Sequence, residues 1–313
     1  MTQRKILIAY DGSDCAEAAL DDLQRAGLPP DAEALVLSVA EVWLPPAPAT
    51  VSQILEQGDE PNVPAELRQS YARGSEAMRE ANELSQRARQ RVQVNHPKWK
   101  VTAEASYGSP AWEVIAKADR WQPDLVLVGS HGRTAVGRFV LGSVSQRVLT
   151  EASCSVRVAR GRVEEPDQPV RIVVGLDGSE PSLAAAGEVA TRFWPPNSEI
   201  KLIVVDNPLV PSVLEAFLPT VEEANQEEED WAKSILMQGA SLFNRPEWKV
   251  TTEVKRGDPK RVLVKTAEDW NADSIFVGST GFSNRFERFV LGSVSAAVVA
   301  RAHCTVEVVR KGK

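Results

Sequence analysis

Long-range repetition is the feature that most restricts the fold of this chain. Asp11–Ser13 (DGS) returns as Asp177–Ser179, 166 positions later, and Phe139–Ser145 (FVLGSVS) returns without change as Phe289–Ser295. Further matches fall between them in the same order. A period of this size is that of a domain rather than of a solenoid repeat. The chain is therefore predicted to be two tandem copies of one domain.

The length of the chain agrees with this duplication, because 313 residues are enough for about two domains. The matches place the domains at 1–160 and 170–313. The segment between them is polar and ends in proline, as expected for a linker.

Within each copy, short apolar runs alternate with helical stretches. Ile6–Tyr10 and Leu125–Val128 are continuous apolar runs, which are typical of strands buried on both faces. Ser109-Pro110 and Asp258-Pro259 are typical helix starts, because proline at the first helical position loses no needed N–H. This alternation predicts an α/β fold, with a doubly wound parallel sheet covered by helices on both faces in each copy.

Composition excludes several classes of protein. The net charge of −7 and the pI of about 5.3 lack the basic footprint of a nucleic-acid-binding protein. No apolar run reaches the roughly 18–20 residues that span a bilayer, and the N-terminus does not read as a signal peptide. Three cysteines form no even disulfide framework. We therefore expect a cytoplasmic protein that binds neither nucleic acid nor membrane.

A glycine-rich segment follows the fourth strand of the first copy. Gly129 and Gly132 are separated by two residues, and nine more lead to Gly142-Ser143, where a helix is expected to begin. The first N–H groups of a helix lack internal partners and attract phosphate. Asp11 ends the first strand, and ligands of doubly wound sheets bind where the winding reverses. The segment therefore indicates a nucleotide site.

Spacing alone leaves a structural alternative open. A tight strand-to-helix connection with a helix cap would need the same glycines. Asp11 and Asp177 could close Asx turns on Ser13 and Ser179. The segment lacks the Gly-Lys-Ser/Thr of a P-loop, and its glycines are not spaced as in the dinucleotide fingerprint.

The combined pattern resembles the universal stress protein family in both copies. It consists of Asp-Gly-Ser after the first strand, Gly-x-x-Gly-x9-Gly-Ser after the fourth, and a last strand that reads Cys-x-Val-x-Val. The resemblance implies the adenine nucleotide alpha-hydrolase-like fold, with a five-stranded parallel sheet of order 3-2-1-4-5 in each copy. It also implies ATP as the ligand, with ADP and AMP as alternatives, and magnesium accompanying the nucleotide.

The same resemblance implies which residues contact the nucleotide. In the first copy they would line adenosine at the strand ends and phosphate at the glycine segment: Ala9, Asp11, Val39, Val128, Gly129, Gly132, Gly142, Ser143, Val144 and Ser145. In the second copy the matching positions are Gly175, Asp177, Val205, Val277, Gly278, Gly281, Gly292, Ser293 and Ser295.

The second copy departs from the pattern. Ten residues separate Gly281 from Gly292, and Phe282 and Phe286 are bulky where the first copy has an arginine and smaller residues. We therefore expect the first site to bind better. His131 invites a catalytic role, but the second copy has Thr280 there, so we interpret it as a loop residue and assign no catalytic residue.

Three functions from different classes remain open from the sequence. The first is a nucleotide-binding regulatory protein of the stress response. The second is an enzyme, namely a weak ATPase or a self-phosphorylating protein. The third is a scaffold of the same fold that binds nothing.

The last strand of each copy is expected at a sheet edge, where unpaired backbone must be covered. Cys154–Val158 and Cys304–Val308 can cover each other about a pseudo-twofold axis, and family members pair through this strand. Arg157 and Glu307 occupy matching positions with opposite charges. We therefore predict an intramolecular pseudo-dimer, with a homodimer through other surfaces left open.

Overall fold

The computed structural model describes residues 3–42, 65–132, 141–160, 168–206, 221–280 and 291–310. The first half comprises β1 (Arg4–Ala9), α1 (Asp14–Asp22), β2 (Ala32–Ala40), α2 (Ala65–Asn95), β3 (Lys100–Tyr107), α3 (Pro110–Trp121), β4 (Leu125–Gly129), α4 (Ser143–Glu151) and β5 (Ser155–Ala159). The second half comprises β6 (Arg171–Leu176), α5 (Glu180–Thr191), β7 (Glu199–Asp206), α6 (Val221–Ala240), β8 (Lys249–Arg256), α7 (Pro259–Asp269), β9 (Ser274–Gly278), α8 (Ser293–Arg301) and β10 (Thr305–Val309). None of the described helices is both long enough and apolar enough to cross a membrane.

All ten of these strands belong to one sheet, of order β3-β2-β1-β4-β5-β10-β9-β6-β7-β8. Each half is parallel and has the order 3-2-1-4-5, which confirms the predicted topology. The two five-stranded sheets expected from the sequence are the two halves of one continuous sheet, because the last strand of each half pairs with that of the other.

The pairing of β5 with β10 joins the halves. The two strands are antiparallel, with Val158 opposite Val306, Arg157 opposite Glu307 and Val156 opposite Val308. Each strand would otherwise present unpaired N–H and C=O groups at an edge. The intramolecular pseudo-dimer predicted from the sequence is confirmed by this register.

A buried ion-pair network crosses this junction. Glu307 accepts a hydrogen bond from Nη1 of Arg157 at 3.1 Å and another from Nη2 of Arg192, and these side chains are 0%, 1% and 1% exposed. Asp22 of α1 binds the other side of Arg157. At the position of Asp22 the second half has Glu188, which cannot pair with Glu307 directly. Arg192 bonds both carboxylates, and its Nε lies 2.9 Å from Glu188.

The apolar core is continuous on one face of the sheet and divided on the other. On the face covered by α3, α4, α7 and α8, a single cluster includes Val156 and Val158 from β5 and Val306 and Val308 from β10. The opposite face carries one cluster beneath α1 and α2 and another beneath α5 and α6. Because the first cluster spans the junction, the halves share a core.

The glycines that end β4 and β9 allow helices to pack closely. A Cβ on Gly129 would lie 2.9 Å from the carbonyl carbon and oxygen of Cys15, and one on Gly278 would lie 2.6 Å from the carbonyl carbon of Pro181. These partners are backbone atoms of the first turns of α1 and α5. Packing against a helix therefore requires glycine at both positions, apart from any ligand.

We predict that Glu307→Gln strongly destabilises the fold. The substitution leaves Arg157 and Arg192 buried without their shared carboxylate, which should cost about 3–5 kcal/mol of the free energy of unfolding. Guanidinium denaturation would measure this cost. Asp269→Asn is the control, since it removes the exposed Lys265–Asp269 pair and should leave the midpoint unchanged. Equal midpoints for the two variants would contradict the assigned role of the network.

We also predict opposite effects of alanine at two glycines. Gly278→Ala forces a Cβ into the backbone of α5 and should destabilise the protein by about 1–3 kcal/mol. Gly187 lies within α5 with nothing within 4 Å of its Cβ position, so Gly187→Ala should stabilise it by roughly 0.5–1 kcal/mol. Thermal unfolding would compare the variants. If the Gly278→Ala protein were as stable as Gly187→Ala, α5 would have to shift away from the new Cβ at no cost, and the prediction would be wrong.

Candidate functional site

The candidate site lies at the carboxyl ends of β1 and β4, the neighbouring strands from which the sheet is wound in both directions. Asp11 follows β1, and the glycine segment follows β4. The carboxylate of Asp11 lies against this segment, since Oδ2 is 3.0 Å from the position of a Cβ on Gly132. The structure thus brings together two residues that are 121 positions apart in the chain.

Asp11 also organises the turn that precedes α1. Its Oδ1 accepts hydrogen bonds from the N–H of Ser13 at 3.0 Å and from the hydroxyl of Ser13 at 2.6 Å. Ser13 is the N-cap of α1, and its Oγ accepts from the N–H of Ala16. The Asx turn considered from the sequence is therefore present. It uses Oδ1, while Oδ2 lies towards Gly132.

The ends of the glycine segment are held together by backbone. The N–H of Gly142 donates to the carbonyl of Ser130 at 2.8 Å, and α4 begins at the next residue. Gly142 is the N-cap of α4 and has no side chain with which to cap it. The first N–H groups of α4 can therefore serve an anion, and Ser143 is exposed beside them.

The two serines expected at the phosphates have different environments. Ser145 is buried, and its hydroxyl donates to the carbonyl of Gly129 at 2.6 Å, which ties α4 to the end of β4. Ser295 donates to the carbonyl of Gly278 at the same distance in the second half. Because a hydroxyl has one proton, Ser145 has no further hydrogen to donate to phosphate in this arrangement. Of the two, only Ser143 is exposed at the start of α4.

Most of the other predicted contacts in the first half are apolar residues at the edge of the core. Ala9, Val39 and Val144 are partly buried and pack against the same core cluster, on the face of the sheet that α3 and α4 cover. Val128 is fully within that core, so it could meet a ligand only through its backbone. Val205 is placed in the second half as Val39 is in the first, and Val277 as Val128.

His131 is buried in the glycine segment. Its Nδ1 lies 3.0 Å from the hydroxyl of Ser130, and Nε2 has no hydrogen-bond partner in the part of the chain that the structure describes. Burial, and then the charge of Arg160, lower the pKa of His131. The imidazole is therefore neutral at neutral pH and supplies no fixed positive charge for phosphate.

The sequence analysis named Ser13 only as a turn residue and did not predict Ser13 or Ser130 as residues of the site. The Oγ of Ser13, whose proton is donated to Asp11, lies 3.4 Å from the carbonyl oxygen of His131, and Ser130 contacts both His131 and the thiol of Cys15. Ser13 returns as Ser179 and Ser130 as Ser279, and this repetition was the signal that could have identified them.

The second half repeats much of this arrangement. Oδ1 of Asp177 accepts from the N–H of Ser179 at 3.0 Å, and the N–H of Gly292 donates to the carbonyl of Ser279 at 2.7 Å. Ser293 is exposed at the start of α8. Gly175 replaces Ala9, and Leu263 fills the adjacent space, with Cδ1 2.9 Å from the position of a Cβ on Gly175.

Some predicted features lie outside the described residues. Gly281 is one of them, as are the inserted residue and the two phenylalanines of the second glycine segment and the residues between Gly132 and Leu141.

Comparison with known proteins agrees with this fold. A universal stress protein of Methanocaldococcus jannaschii is 36% identical over 147 residues, which are 46% of this chain and 83% of that protein. One of Mycolicibacterium smegmatis is 31% identical over 190 residues, 59% of this chain and 61% of its own length. The crystal structure of an Archaeoglobus fulgidus universal stress protein covers 99% of this chain and 97% of its own, with 21% identity and a TM-score of 0.61.

The sequence profile of the universal stress protein family matches twice, at residues 2–160 and at residues 170–310. Together the two matches account for nearly the whole chain, one in each half of the sheet. The chain therefore belongs to the universal stress protein family, as a tandem member with two copies of the family's domain.

Proposed function

We propose that this protein binds an adenine nucleotide, ATP in particular, at the carboxyl ends of β1 and β4 and acts as a nucleotide-binding regulatory protein of the stress response. The observation that carries the proposal is the placement of the Asp11 carboxylate against Gly132. A polar group for a nucleoside and a glycine segment for phosphate thereby meet at the point where the winding of the sheet reverses.

The parts of the site have complementary chemistry. The uncapped N-terminus of α4 and the exposed Ser143 suit phosphate oxygens. The partly buried Ala9, Val39 and Val144 offer apolar surface to a base. Oδ2 of Asp11 can accept from a ribose hydroxyl or an adenine amine. Magnesium would enter with the nucleotide, as the counter-ion of its phosphates.

We propose binding rather than turnover. A general base for hydrolysis must be able to take a proton from the attacking water. His131 is the one residue of the glycine segment that the sequence analysis considered for catalysis. Its side chain is buried, and its Nδ1 contacts the hydroxyl of Ser130 rather than solvent. A regulatory protein that retains its nucleotide needs no such base. Incubation with ATP and magnesium separates the two functions, since we expect bound ATP to be recovered unchanged rather than as ADP.

We further propose domains at 1–160 and 170–313 and a location in the cytoplasm. The unpaired state of Cys15, Cys154 and Cys304 fits a reducing compartment.

Any homodimer would use surfaces other than β5 and β10, because these strands already pair with each other.

The ligand itself can be identified directly. Protein purified without added nucleotide and then denatured should release ATP, ADP or AMP, detectable by mass spectrometry, if affinity is high enough for retention. Calorimetric titration with ATP tests binding where retention fails. If the protein neither releases nor binds an adenine nucleotide, the proposed function is wrong and the scaffold function is favoured instead.

We predict that Asp11→Asn weakens ATP binding. The amide oxygen can still accept from Ser13 and keep the turn, but the negative charge is lost. A charge-assisted hydrogen bond is worth about 1.5–3 kcal/mol, so the dissociation constant should rise roughly tenfold or more. Asp177→Asn is the matched control and should leave the tighter site unchanged. If calorimetry found the same ATP affinity for Asp11→Asn as for the unaltered protein, the assignment of Asp11 to the nucleotide site would be wrong.

We predict unequal occupancy of the two halves. The second glycine segment has one more residue and carries Phe282 and Phe286, so calorimetry should find one tight ATP site per chain. Gly132→Val should abolish it, because a Cβ there lies 3.0 Å from Oδ2 of Asp11 and the branches extend further. Gly281→Val, at the matching position, should leave it intact. Two equally tight sites would refute the asymmetry.

A further inference from the structure

Each half of the chain ends its last strand with an arginine that reaches the other half. Arg310 follows β10, and its Nη1 and Nη2 donate to the carbonyls of Cys154 at 3.3 Å and of Leu149 at 2.5 Å. Arg160 follows β5 and donates to the carbonyls of Val299, at 2.7 Å, and of Ala302. Leu149 lies in the last turn of α4, while Cys154 directly precedes β5. Val299 lies in the last turn of α8, and Ala302 is its C-cap. Each arginine thus binds the C-terminal end of a helix whose N-terminus faces a candidate site.

The pairing of β5 with β10 fixes these arginines. The N–H of Arg310 donates to the hydroxyl of Ser155 at 3.1 Å, and the N–H of Arg160 donates to that of Thr305 at the same distance. Ser155 and Thr305 occupy matching positions in the two copies. Each arginine therefore begins from a backbone position held by the opposite half, and Arg310 is only 8% exposed.

The arginine contacts at the C-terminus of a helix affect how well its N-terminus binds an anion. The last carbonyls of a helix lack internal partners and carry about half a negative charge, while the first N–H groups carry the corresponding positive charge. α4 has nine residues and is therefore roughly 13 Å long. A guanidinium at its C-terminus offsets the negative end and holds the short helix in place, which favours an anion at Ser143.

We propose that Arg310 is a positioning residue for the nucleotide site of the first half, and that Arg160 has the same role for the second half. The proposal rests on the proposed function, because it concerns affinity for nucleotide at those sites. It makes each site depend on the other half of the chain. The dependence is mutual because the two arginines are placed by the same strand pairing.

The test uses the full chain and the variant Arg310→Met, which keeps an apolar stem and removes the donors. Arg25→Met is the matched control. Arg25 is 7% exposed and also crosses between halves, donating to the carbonyls of Gln168 and Pro169 and pairing with Asp273 at 3.1 Å. These contacts do not involve α4 or α8. The two variants therefore remove similar buried cross-half contacts, and only one of them touches the helix of the site.

Hydrogen exchange gives the first readout, and it does not depend on nucleotide. In Arg310→Met the amides of 143–151 should exchange at least about fivefold faster, while those of 293–301 stay unchanged. Arg160→Met should reverse the pattern. Exchange in 143–151 that is no faster in Arg310→Met than in Arg25→Met would overturn the proposal.

Calorimetry with ATP gives the second readout. The dissociation constant of the first site should rise about twofold to thirtyfold in Arg310→Met, which corresponds to the range of interaction between a cation and a helix C-terminus, and stay unchanged in Arg25→Met. Arg310→Lys keeps the charge and should recover part of the affinity; it also serves if the methionine variant fails to fold. Failure of the unaltered protein to bind ATP would overturn the proposed function, whereas binding unaffected by either Arg310 variant would overturn the positioning role alone.

Discussion

The antiparallel pairing of β5 with β10 is the constraint on which the rest of this molecule depends. It removes two sheet edges, merges two five-stranded sheets into one and makes the core beneath α3, α4, α7 and α8 continuous. The same pairing buries Arg157 against Glu307, and charges so far from water are tolerated only when they are paired and hydrogen-bonded. Each half therefore depends on the other to cover its edge strand, to complete its apolar core and to neutralise its buried charge.

Duplication within one chain permits an interface that identical subunits could not make. In a symmetric pair, the residue at the position of Arg157 would face its own copy, so that like charges would meet on the axis. Here one copy has arginine and the other glutamate. The change is accommodated locally, because Arg192 lies between Glu307 and Glu188, where two carboxylates would otherwise repel each other. The opposite charges also disfavour pairing of a first half with another first half.

The glycine segment combines a structural and a functional requirement. Gly129 ends β4 where α1 leaves no room for a side chain, whereas Gly132 leaves space beside the carboxylate of Asp11. Ser145 secures α4 to β4, and the exposed Ser143 stands at the start of the same helix. Under the proposed function only Gly132 and Ser143 would serve the ligand, whereas Gly129 and Ser145 have the structural roles that the sequence left open as an alternative.

The sequence by itself determined the duplication, the strand order implied by family resemblance, the meeting of Asp11 with the glycine segment and the pairing of Arg157 with Glu307. These features can be read from residues at matching positions of the two copies and from the motifs that both copies share with the family. Only the tertiary structure decided that Arg192 joins Glu188 to Glu307, that Ser145 donates to Gly129 and that Arg310 reaches Leu149. The latter two contacts end on backbone carbonyls, and since every residue has a carbonyl, no sequence pattern distinguishes the one that is bound.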